Sequence, residues 1–134
     1  MRVFLPSFSF LLAACAAPAP TPPAAGGLDQ PLLATFNEPF WQLAIEGREL
    51  VFRGVDVEPE RRLQLADEAR LQGQRRLRAI DGQGTVELRI WDAPCSDSMS
   101  GAAFPYSAAV RVDGGDEVGG CARPASMPAP GEGG

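Results

Sequence analysis

The chain contains no histidine and no lysine, so its 12 basic residues are all arginine. Mechanisms that need an imidazole base, a Schiff-base amine or the lysine of a phosphate-binding loop are therefore closed to it. Its serines have no histidine or lysine to activate them, which argues against a serine hydrolase. There are three cysteines, at 15, 95 and 121, with no C-x-x-C spacing and no histidine to complete a metal site. With 17 acidic residues the formal charge is -5, which lacks the clustered positive surface that a nucleic acid requires. No cofactor is expected. The 134 residues suit one domain, and no repeat of solenoid length is visible.

What is present begins with an address. Met1 and Arg2 precede an apolar run at residues 3–14, VFLPSFSFLLAA, which has signal-peptide architecture and is too short to span a bilayer. Its end, Leu12-Ala13-Ala14-Cys15, resembles the lipobox of bacterial lipoproteins. The resemblance implies removal of residues 1–14 and acylation of Cys15, giving lasting membrane attachment through the N-terminal lipid. Ala16, in place of Asp, resembles the outer-membrane sorting pattern of Gram-negative lipoproteins, and so implies an envelope protein facing the periplasm in such an organism.

Residues 15–31 follow as the lipidated cysteine and a Pro/Ala-rich segment, which is expected to be a disordered tether reaching up to about 45 Å from the lipid. Residues 124–134 read as a frayed tail. The folded unit is then 32–123. Export places Cys95 and Cys121 in an oxidising compartment, and with Cys15 committed to lipid they are expected to form a disulfide.

Within the unit the pattern is that of strands. Trp41, Leu43 and Ile45 alternate with Gln42, Ala44 and Glu46, and Glu46-Gly47-Arg48-Glu49 turns the chain into Leu50–Arg53, which predicts a hairpin over 40–53. Asp81-Gly82-Gln83-Gly84 separates an Arg/Leu alternation at 75–80 from Val86, Leu88 and Ile90. Ala108, Val110 and Val112 lead into Asp113-Gly114-Gly115-Asp116 and a short return strand ending at Cys121. Residues 60–72 fit a helix opened by Pro59 or an alternating strand, and the strand is preferred. The fold class predicted is all-β: a small antiparallel meander or barrel of about six to eight strands carrying one disulfide.

Two clusters carry the remaining special residues: Asn37-Glu38-Pro39-Phe40-Trp41, and Cys95-Ser96-Asp97-Ser98-Met99-Ser100-Gly101 with Phe104-Pro105-Tyr106. Together with Gly120-Cys121 they resemble, in order and spacing, a family of uncharacterised bacterial envelope lipoproteins that carry an EPFW-like motif, a C-x-D-x-M-S segment, a (F/Y)-P-Y element and a late Gly-Cys. More loosely, the architecture is similar to META-type domains and periplasmic lysozyme inhibitors. These resemblances imply a small barrel in the envelope and no established activity.

The candidate binding residues are Glu38, Trp41, Asp97, Ser100 and Tyr106. Asp97 and the serines also suit side-chain to backbone bonds that fold a turn, and the aromatics also suit the core. Asp113, Asp116 and Glu117 offer oxygen ligands in a hairpin turn whose spacing is not that of an EF-hand, so no metal site is assigned. No catalytic residue is assigned, and the expected function is a non-catalytic binding or interaction module for an envelope protein or cell-wall component. The alternatives are an inhibitor of a cell-wall hydrolase, or a carboxylate-based hydrolase using Glu38 and Asp97.

Overall fold

The structure is a computed structural model that describes residues 27–130. The signal peptide, Cys15, most of the expected tether and the last four residues lie outside the described residues. Eight strands close into an antiparallel barrel: β1 (Leu32–Asn37), β2 (Phe40–Glu46), β3 (Glu49–Gly54), β4 (Val57–Leu71), β5 (Gln74–Ile80), β6 (Thr85–Trp91), β9 (Tyr106–Val112) and β10 (Val118–Pro124). The two short strands β7 (Cys95–Ser96) and β8 (Ala103–Phe104) form a separate ribbon in the connection between β6 and β9.

Neighbours in sequence are neighbours in space, and β10 returns to β1 with Leu32 opposite Pro124 and Thr35 opposite Cys121, which removes the sheet edges. The expected hairpins are present as β2–β3, β5–β6 and β9–β10. The closing strand β1 was not foreseen, because Leu32-Leu33-Ala34-Thr35 has no clean apolar/polar alternation, although Leu32, Ala34 and Phe36 all point inward and are buried.

The interior is filled by alternate residues of every barrel strand, among them Phe36, Leu43, Ile45, Leu50, Phe52, Leu63, Leu77, Leu88, Ile90 and Val110. An eight-stranded barrel has just enough room for such a core. Residues 60–72 are strand, within the 15-residue β4, whose first half pairs with β3 and whose second half pairs with β5. A bulge between Leu65 and Asp67 shifts its register. Leu63 and Leu65 point inward before the bulge and Glu68 and Arg70 follow in that phase after it, so the alternative of a helix opened by Pro59 does not hold.

Two arginines sit in phase with the apolar residues and are nearly fully buried, Arg61 at 7% and Arg75 at 5% exposure. They mark the two poles of the barrel. Arg75 donates to Glu68 (2.8 Å) and to the carbonyls of Leu28 and Gln30 (3.0 Å each), while Arg70 pairs with Asp29 and Glu68. Residues 27–31, expected to end the tether, are therefore seated on the barrel, with a 3-10 turn at Gly27–Asp29. The tail expectation changes in the same way: β10 runs on to Pro124, and Ala125 N–H donates to the Pro31 carbonyl. Both ends of the described chain thus lie at the Arg75 pole.

At the other pole Arg61 joins two turns that look independent in sequence. Its guanidinium donates to both carboxylate oxygens of Asp81 at 2.9 Å and to Asp113 at 2.9 and 3.2 Å, above the face of Phe52 (5.9 Å to the ring centre). The Asp81 carboxylate also accepts from the Gln83 and Gly84 amides, and the arginine foremost holds it down at about 2.

Candidate functional site

The connection from β6 to β9 leaves the barrel after Trp91, folds back across the outside of β10 and β1, and returns at Tyr106. It forms a flap held by two pins. One is the Cys95–Cys121 disulfide, with 5.5 Å between Cα atoms; Cys121 points outward from β10 and is buried because the flap covers it. The other is Asn37 at the end of β1, whose amide donates to Asp97 Oδ1 at 2.7 Å and Ser98 Oγ at 2.8 Å.

The tip of the flap is built by Asp97. Its Oδ2 accepts from the amides of Met99 (3.2 Å) and Ser100 (2.7 Å) and from the Ser100 hydroxyl (2.7 Å), and its backbone carbonyl accepts from Gly101 N–H at 2.8 Å. Gly101 closes this turn at φ +72°, a conformation in which a side chain is strained. The Ser100 bonds, then that from Asn37, hold the Asp97 carboxyl far below the usual range, at about 2. Its lone pairs are engaged in shaping the loop, as the turn reading of the segment expects.

Between the flap and the barrel wall lies an open cleft of 580 Å³. Thr35 and Asn37 come from β1, Glu38 from the β1–β2 turn, Cys95 to Met99 from the flap, and Gly119 to Cys121 from β10. Three segments singled out separately in the sequence, spanning more than eighty positions, thus meet on one surface. Gly119 leaves the floor bare: a Cβ built there has nothing within 4 Å.

The five candidate residues divide. Glu38 and Asp97 line the cleft, and Ser100 stands behind it, bonded to Asp97. Tyr106 points into the barrel and is 7% exposed, so it belongs to the core, where burial and then nearby Asp92 push its phenol up. Trp41 is at the Arg61 pole, half-buried, with its ring edge-on to Phe52 at 5.3 Å and its indole N–H donating to Asp56 at 2.8 Å. There it walls a second pocket, of 240 Å³, with Val57, Val112, Arg61 and Asp113.

The residues that sequence reasoning missed are Asn37, which docks the flap, and Arg61, which ties the turns of the far pole. Arg61 carried a signal, being an arginine in the phase of Leu63 and Leu65 within an alternating strand. Asn37 stood in the 37–41 cluster, but its docking role had no signal, because its partner lies 60 positions away.

Among the described residues no cluster of three or more carboxylates and cysteines is placed to hold a metal ion. None of the family models, curated proteins or solved structures compared with the chain matches it.

Proposed function

We propose that the chain is a lipid-anchored cell-envelope protein whose barrel is a non-catalytic binding module, with the cleft beneath the flap as its binding site. The observation that carries this reading is the convergence of Asn37, Glu38, Ser98 and Met99 on one open surface by a flap fixed at two points. A pinned flap presents these groups in a preset arrangement, which reduces the ordering cost of binding. Glu38 and Asp97 share the cleft, but both Asp97 oxygens already accept from Asn37, Met99 and Ser100 in holding the flap, which favours binding over hydrolysis at this carboxylate. The anchoring part of the proposal rests on the lipobox resemblance at Leu12–Cys15.

The test is capture from detergent-solubilised envelope with lipobox-intact bait, run beside Gly119→Phe. Because a side chain at 119 enters open space, this variant fills the cleft while leaving the barrel walls in place. A specific protein or glycan retained by the wild type and lost by Gly119→Phe is expected. Equal retention, or no specific partner at all, contradicts the proposal.

A further inference from the structure

The two poles of the barrel differ in a way that bears on what the module meets. Residue 27 enters at the Arg75 pole, so on the anchored reading the segment from the lipidated Cys15 joins the barrel there, and the Arg61 pole is the opposite end. Five large apolar side chains are exposed among the described residues, and four of them ring the Arg61 pole: Phe40 (51%), Val55 (79%), Ile80 (43%) and Met99 (65%). Ile80 ends β5 beside Asp81, and the other three are neighbours through the backbone. Asn37 pairs with Phe40 and bonds the flap next to Met99, and Trp41, beside Phe40, pairs with Gly54, beside Val55.

Among the described residues, the charge around this apolar ring that is left without an ion-pair partner is acidic. Glu38, Asp56, Glu58 and Asp116 have no ion-pair partner among the described residues, and the nearby arginines are engaged: Arg61 with Asp81 and Asp113, Arg53 with Glu60, Arg89 with Glu117 and Arg111 with Glu87. The 240 Å³ pocket opens among these groups, with Trp41 on its wall, the unpaired Asp56 and Glu58 along its lining, and Arg61 neutralised there by Asp113 and Asp81.

Resting on the reading of the barrel as an anchored binding module, we infer that the Arg61 pole is its docking face and that the occupant is a basic protein surface, with an Arg or Lys side chain entering the pocket beside Trp41. Exposed apolar side chains supply contact area. Unpaired carboxylates around them select a cationic partner and repel both an anionic lipid surface and a second acidic pole of this chain. An indole beside carboxylates suits a guanidinium or ammonium group. The cleft opens on this same pole, since Glu38 and Met99 belong to both.

The test places a photo-crosslinking amino acid at Phe40 or Val55 of the full, lipobox-bearing chain in cells, with Leu71 and Arg76 as control positions away from the pole. Protein adducts are expected at 40 and 55 and not at 71 and 76, with crosslinked segments rich in Lys and Arg. The adduct yield should fall about tenfold in Glu58→Lys/Asp116→Lys and hold in Glu46→Lys at the opposite pole. All three substituted positions are exposed, and unchanged circular dichroism confirms that the fold is kept. Adducts confined to 71 or 76 overturn the docking face and leave the binding reading standing. So do pole adducts to lipid, to a second copy or to an acidic segment, and so does a yield insensitive to charge reversal. Absence of protein adducts at all four positions overturns the binding reading as well.

Discussion

Replacing Arg61 by methionine should remove the tie between two turns of the barrel and make the loss depend on pH. Methionine keeps most of the apolar stem against Phe52 but deletes a guanidinium that makes two bonds to Asp81 and two to Asp113. The Asp81 side chain is only 14% exposed, so its charge is left facing a second carboxylate with little water to screen it. Breaking a buried pair from one side costs about 3–5 kcal/mol, a large part of the roughly 5–15 kcal/mol that holds a domain folded. The sign of the pH effect follows from Asp81. Its folded pKa, about 2, lies below the unfolded value of about 3.9, so it contributes stability above pH 3.9 that is lost as the pH falls toward 2. The contribution is about 2 kcal/mol after allowance for residual exposure. Arg61 is the main cause of that depression, so Arg61→Met should lack it. Urea unfolding followed by tryptophan fluorescence, in which Trp41 reports from beside Phe52, should show a difference of about 3–5 kcal/mol between wild type and variant at neutral pH, shrinking by about 2 kcal/mol near pH 2. A neutral-pH difference below about 1 kcal/mol, or one that stays constant into acid, would refute the coupling of the two turns through Arg61.

Other outcomes follow from the same geometry. Reducing Cys95–Cys121, or replacing both cysteines with serine, should lower stability by about 3.5 kcal/mol through the 26-residue separation it closes, read from urea midpoints with and without reductant. Gly120→Ala should cost about 1–3 kcal/mol in the same assay, because its Cβ would lie 2.3 Å from the Thr35 carbonyl oxygen and 2.5 Å from the Phe36 ring. Radiolabelled palmitate should enter the wild type and fail to enter Cys15→Ala; equal labelling would end the lipoprotein proposal.

Much of this protein was legible from its sequence because the relevant physics is local. A period of two in apolar residues, broken by Gly- and Asp-containing turns, specifies antiparallel strands whatever lies around them, and the hairpins at 40–53, 75–90 and 108–121 appear where that pattern puts them. The Asp97 turn is local as well, since its carboxylate bonds the amides two and three residues ahead. The absence of histidine and lysine narrows the chemistry before any fold is considered.

Other features depend on contacts that only closure of the barrel creates. The pairing of β1 with β10 brings Asn37 beneath Asp97 and turns the 95–101 segment from a loop into the wall of a cleft. The shift of register within β4 depends on satisfying β3 on one side and β5 on the other, a demand no single strand records. Arg61 and Arg75 stand in the inward phase of their strands, but their partners, the turns at 81 and 113 and the segment at 27–31, reach them only in the folded barrel. Composition and periodicity thus determined the strands, the exclusions in chemistry and the local turns, because each rests on neighbours in the chain. The tertiary structure decided which side chains share a surface, because strand pairing and burial join residues that are far apart in sequence.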